Sequence, residues 1–157
     1  MGINLDALLT QTVDASMSTS MTPCPEGEWQ AMVDDITENN FRTIERDDGS
    51  EVQIFQPMFV VTDQKAIDAV GREKLVVPHK GIFLDFDDDG STLSTGKDKN
   101  VKLGQMREAC GQNKRKGWNI SKLAGAGPIM ILVKHRIPDP MDPETKYAEV
   151  RRVSAIK

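Results

Sequence analysis

Asn100-Val101-Lys102-Leu103-Gly104-Gln105-Met106-Arg107-Glu108-Ala109-Cys110-Gly111 decides how the rest of this chain is read. Val101, Met106 and Cys110 fall on one helical stripe with Leu103 beside them, and Gly111 follows as a favoured left-handed cap, so the spacing predicts a helix. The segments on both sides favour strands. Toward the N-terminus, Leu75 to Phe86 is a third strand interrupted by Pro78 and Gly81, which fits an edge, a bend or two shorter strands. Val52 to Thr62 is β-rich and apolar on both faces, with Ile54, Met58 and Val60 pointing one way and Phe55, Phe59 and Val61 the other. A hairpin turning near Asp47-Asp48-Gly49 joins it to strand one, where Trp29, Ala31 and Val33 alternate after the turn signal Pro25-Glu26-Gly27. Ile36 is out of phase, as though a bulge intervened near Asp34 and Asp35.

Beyond the helix, Ser121 to Ala124 suggests a short turn, Pro128 to Ile137 an apolar strand and Lys146 to Ile156 a last alternating strand. Residues 1–24 form an arm: a helical turn around Asn4 to Leu9, then Ser16 to Thr22 without a periodic apolar face. Three strands, a helix and two strands predict an all-β domain over residues 25–157, a five-stranded OB-fold Greek-key barrel with its helix between strands three and four. Other small barrels and α+β sandwiches share parts of this order.

Charge is segregated along the chain. Up to Gly96 there are 6 Lys/Arg against 18 Asp/Glu, whereas Lys97 to Lys157 carries 14 against 6, so the net charge of −4 conceals a basic second block. That asymmetry points to a basic working surface. The longest apolar run, Ile129 to Val133, is far too short for a bilayer span, and no secretory signal is visible, so a soluble intracellular protein without membrane contact is expected. Cys24 and Cys110 lack a CxxC or CxxH companion and are expected to be reduced thiols.

Catalytic signals fail on spacing. Asp85, Asp87, Asp89 and Gly90 match the first half of a calcium-binding loop, but Gly96 occupies the position of the bidentate Glu, which leaves an acidic hairpin turn. Between Gly90 and Gly96 lie five residues where a phosphate loop needs four, and Asp98 replaces its Ser or Thr. His79 and His135 have no triad partners in the sequence. No enzyme activity, metal or cofactor is expected.

From Pro25 onward the chain resembles the OB-fold single-stranded-DNA-binding proteins of bacteriophages. The likeness rests on Pro25, Gly27, Trp29, Ala31 and Val33, on Lys102-Leu103-Gly104 and Ala109-Cys110-Gly111, and on Leu123 and Gly125 before strand four. It implies a non-enzymatic protein that coats single-stranded DNA with little sequence preference during phage replication or recombination, in the host cytoplasm. The ending Arg151-Arg152-Val153-Ser154-Ala155-Ile156-Lys157 departs from the acidic tail with which bacterial single-strand binders recruit partners.

Single-strand binding requires cations that follow the phosphates and rings on which bases stack. Lys114-Arg115-Lys116-Gly117-Trp118 puts three cations beside an indole, although Trp118 also reads as a lid folded over the barrel. Lys134 and Arg136 share the outer face of strand four, and Arg151 and Arg152 lie on opposite faces of strand five, so only one of the two looks into a groove. Lys80 joins these candidates, and Tyr147 either stacks or packs. Phe55 and Phe59 are stacking platforms if the aliphatic set of strand two fills the interior; otherwise the arm, the helix or a subunit interface buries them. Trp29 belongs to the core. RNA is a second ligand that the same chemistry serves. The alternative from another class is an OB-like interaction module that forms a homo-oligomer, which the chain's eight Phe, Trp and Tyr residues favour by their small number.

Overall fold

Strand β1 (Gly27–Val33) buries Ala31 and Val33, half-buries Trp29 and turns Glu28 and Gln30 outward, the alternation expected of a sheet with one covered face. It is the centre of the larger of two antiparallel sheets in a mostly-β chain; the computed structural model describes residues 2–156, leaving Met1 and Lys157, the two chain ends, outside the described residues. The remaining strands are β2 (Phe41–Glu45), β3 (Glu51–Phe55), β4 (Met58–Val61), β5 (Val76–Pro78), β6 (Ile82–Phe83), β7 (Ile129–Arg136) and β8 (Tyr147–Ser154). The larger sheet runs β5-β4-β1-β7-β8 and the smaller β2-β3-β6. Outer strands β5 and β8 meet at one parallel bridge between His79 and Val150, where the Lys80 N–H donates to the Val150 carbonyl at 3.1 Å.

The apolar stretch Val52 to Thr62 is not one strand. It divides at Gln56-Pro57 into β3 and β4, which belong to different sheets. Pro57 has no N–H to give a ladder, its carbonyl accepts from the His79 N–H at 2.9 Å, and the Gln56 side-chain amide donates to the His79 carbonyl at 2.8 Å. Phe55 and Phe59 are both fully buried, which overturns their assignment as stacking platforms. Pointing the larger aromatic set inward removes more apolar surface from water than the aliphatic set would, so Met58 and Val60 are left half-exposed instead. Ile54 is buried too, beneath Gly81, where a Cβ would stand 3.2 Å from its Cγ2.

The turn at Asp47-Asp48-Gly49 is where it was expected, with Gly49 at φ 85°, but it joins β2 to β3. Strand β2 escaped the sequence reading because it is exposed along its whole length and has no apolar face to give it a period. Leu75 to Phe86 resolves into two short strands, β5 and β6, one in each sheet. Helix α1 (Leu5–Thr10) is capped by Asn4 and fully exposed. Helix α2 (Gln64–Val70) was not foreseen, although Asp63 caps its start, Gly71 ends it at φ 76° and Ala66 is buried. Helix α3 (Val101–Ala109) lies where the stripe predicted, burying Leu103 and Met106, but Val101 is exposed. Trp29 packs against the core and donates its indole N–H to the Pro25 carbonyl at 2.8 Å.

Arg151 and Arg152 do not lie on opposite faces in the expected way. Leu132 pairs with Arg152 and Val133 with Val150, so Arg151 is an extra bulged residue and both arginines are exposed.

Phe59→Ala is expected to destabilise the fold by about 3–5 kcal/mol in a urea titration, the cost of a buried phenyl cavity. Buried His79 has its pKa pushed down from 6.5 to about 4, first by burial and then by the Lys80 and Lys102 charges, and its Nδ1 accepts the Gly81 N–H at 3.0 Å. The unfolded chain is protonated near pH 6.5 and the folded one only near 4, so this stability penalty is absent above pH 6.5, grows as pH falls and is complete below 4. Unfolding free energies from denaturant titrations across that window should fall by roughly 3 kcal/mol from this source. His79→Asn, which keeps an acceptor but no titration, should show a flatter profile.

Candidate functional site

A cleft of about 880 Å³ opens between the Ser91–Thr95 turn, α3 and the loop Asn113–Ile120. Lys99, Arg107, Arg115 and Trp118 line it, and among the described residues no Asp or Glu does. In a chain with net charge −4, that composition is selective. One wall is set by Asn100, whose left-handed backbone (φ 50°) begins α3. Its side-chain amide donates to the carbonyls of Asp85 and Ser94, both at 2.8 Å, and its Oδ1 accepts the Asp85 N–H at 2.7 Å. The acidic segment Asp87-Asp88-Asp89 is the expected hairpin turn, with Phe86 bridged to Leu93 and Asp89 accepting from Ser91 and Thr92.

The other wall carries Trp118. Its indole N–H donates to the Gln112 Oε1 at 2.8 Å, and the Gln112 amide, itself buried, donates to the Lys122 carbonyl at 2.9 Å. Arg107 lays its guanidinium 4.1 Å from the Trp118 ring centroid and donates to the carbonyls of Gln112 and Arg115 at 3.1 and 3.4 Å. Arg107 has no carboxylate partner, and its buried Nε has no hydrogen-bond partner among the described residues. The two readings of the loop therefore merge: Trp118 does pack against the core, and its half-buried ring still lines the cleft beside three cations. A guanidinium layered over an indole is a platform on which a base can stack while neighbouring cations hold a phosphate.

The remaining predicted residues are dispersed. Lys114 and Lys116 are exposed in the same loop but do not line the cleft. Lys80 is exposed beside the β5–β8 bridge. Lys134 and Arg136 are exposed on β7, as expected, but this face carries its own counter-charges. Glu149 pairs with Arg136 at 3.7 Å and Arg151 at 3.1 Å, and Glu28 pairs with Arg152 at 3.2 Å. Glu26 accepts the His135 N–H at 3.0 Å, which holds its carboxyl below the usual range, helped by the His135, Lys134 and Lys146 charges. Arg136 also lies 5.8 Å from the Tyr147 ring centroid, and these two residues line a second cleft that shares no residue with the first.

Sequence reading missed Lys99 and Arg107. The signal for Arg107 was present: it lies four residues after buried Leu103 and next to buried Met106, so its helical position borders the covered face. Cys24 and Cys110 are unpaired thiols, with pKa values raised to about 11, chiefly by burial. Among the described residues no three His, Cys, Asp or Glu side chains converge as a metal site, and no helix is long and apolar enough to cross a membrane. No protein-family model, curated protein or solved structure matches this chain.

Gln112→Ala removes both hydrogen bonds that hold the Trp118 side of the cleft. It is expected to cost about 2 kcal/mol in denaturant unfolding and to shift Trp118 emission to the red as the indole N–H meets water.

Proposed function

We propose that this protein binds single-stranded DNA without catalysis, holding backbone phosphates with Lys99, Arg107 and Arg115 and stacking a base at Trp118. The observation that carries the reading is the cleft itself: three cations and an indole, with no lining carboxylate among the described residues, in an acidic chain. Stacking on such a platform is worth about 1–3 kcal/mol per base and depends little on base identity, so slight sequence preference follows. Exposed acidic residues on the β2–β3 hairpin, Glu45, Asp47, Asp48 and Glu51, favour confinement of a polyanion to the basic cleft.

The wiring supports an OB-type barrel as the scaffold. β1 lies between β4 and β7, the outer strands β5 and β8 touch at the His79–Val150 bridge, and α3 sits in the connection from β6 to β7. Closing that edge converts the five-stranded sheet into a small Greek-key barrel. The resemblance to phage single-strand binders points the same way and suggests a role in replication or recombination.

A second reading, a self-associating interaction module, is favoured by one observation: Ile3, Leu5, Leu8, Leu9, Val13, Met17 and Met21 of the arm are all exposed. Light scattering at several concentrations, with and without oligonucleotide, distinguishes them, because a stable oligomer indifferent to DNA supports the module alone.

Fluorescence anisotropy with labelled oligo-dT at low salt tests the leading reading. Binding should exceed that of duplex DNA and weaken with salt, with a log–log slope of about −2 for three phosphate contacts. Oligo-U in parallel reports whether RNA serves as well. Gly104→Glu is the matched control: Gly104 lines the cleft and a Cβ there meets nothing within 4 Å, so the change should leave the thermal midpoint near wild type while abolishing binding. Affinity for duplex equal to that for single strand, or a Gly104→Glu protein that binds normally, would sink the proposal.

A further inference from the structure

Arm residues Thr19–Cys24 form one side of a second cleft, of about 390 Å³, whose other sides come from β5 and the start of β8. Arg72, Arg136 and Lys146 line it together with Tyr147, and Glu149 is its one carboxylate among the described residues. Glu149 is already engaged, since it pairs with Arg151 at 3.1 Å as well as with Arg136 at 3.7 Å. Lys146 forms no ion pair among the described residues. Arg72 donates its guanidinium hydrogen to the Thr22 carbonyl, a neutral acceptor. The arm from Ala15 to Cys24 contains no charged residue, so it covers these cations without neutralising them.

The attachment of the arm is uneven. Cys24 is buried in the core and its carbonyl lies 2.7 Å from His135 Nε2, whereas Thr19, Ser20, Met21 and Thr22 are exposed and, among the described residues, gain only the Arg72 bond. A firm anchor followed by a weakly held segment is what a displaceable strap requires. A phosphate offered to Arg72 makes a charge-assisted bond roughly twice as strong as one between neutral groups, so a polyanion competes well for that guanidinium. Tyr147, with Arg136 beside its ring, supplies the stacking surface.

We propose that this cleft is a second subsite for single-stranded polynucleotide, covered in the free protein by residues 19–22, which the incoming strand displaces. The proposal rests on the single-strand-binding reading above but uses different residues from the first cleft.

Tyr147 is the sole tyrosine in the chain, so full-length protein grown with 3-fluorotyrosine carries one reporter inside this cleft. Methyl-labelled methionine adds Met21 as a reporter on the strap. Titration with oligo-dT, followed by anisotropy and by both resonances, should move the Tyr147 and Met21 signals in step with binding. Lys146→Ala, with an unchanged thermal midpoint, should lower affinity about threefold and reduce the salt slope by about one. Binding seen by anisotropy with both resonances fixed and Lys146→Ala neutral overturns the second subsite and leaves the first cleft standing. A shift of Tyr147 without Met21 overturns the strap. No response in any channel at low salt removes both proposals together.

Discussion

The fold turns on the edge where β5 meets β8. One backbone hydrogen bond, from Lys80 to Val150, marks the contact, and alone it is worth only about 1 kcal/mol. Its importance comes from what lies behind it: Phe59, Val77 and Val150 are buried in the same cluster, and His79 is buried at the seam itself. Separating the strands would hydrate these groups together. The same seam brings Arg72 and the arm, which belong to the first half of the chain, beside Arg136, Lys146 and Tyr147 from the second.

Segregation of charge along the sequence does not become a continuous basic face. Acidic residues from the first half, Glu26 and Glu28, stand beside the cations of β7 and β8, and Glu149 adds a third counter-charge. Exposed pairs of this kind contribute about 0–1 kcal/mol each to stability, but they lower the local potential. The cations left for an external anion are therefore those placed where strands do not bring a carboxylate alongside: Lys99, Arg107 and Arg115 in the loops and helix that wall the first cleft, and Arg72 and Lys146 at the second.

Much of the architecture was legible because burial leaves a period in the sequence. β1, α3, β7 and β8 each cover one face, and each was found within a few residues. β2 was not, since a strand exposed on both faces leaves no such trace, and α2 is short enough that its caps, Asp63 and Gly71, are its main signal. The fate of Phe55 and Phe59 could not be read from alternation, which gave two equally apolar faces; the choice is made by the break at Gln56-Pro57 and by the volume of the interior. Trp118 and Arg115 were recognisable as a cation beside a ring. Lys99 was not, because its contribution depends on how Asn100 joins the acidic turn to the helix, a contact between segments that no local pattern encodes; Arg107 left a trace in its helical position beside Leu103 and Met106, but its place over Trp118 depends on a contact between helix and loop.

Burial of the two thiols has a practical consequence. With Cys24 and Cys110 held mostly protonated at neutral pH by pKa values near 11, neither presents much thiolate to an electrophile. A single cysteine introduced at an exposed site would react with a maleimide dye well ahead of the native pair, so spectroscopic probes can be attached without first stripping the protein of its own sulfur.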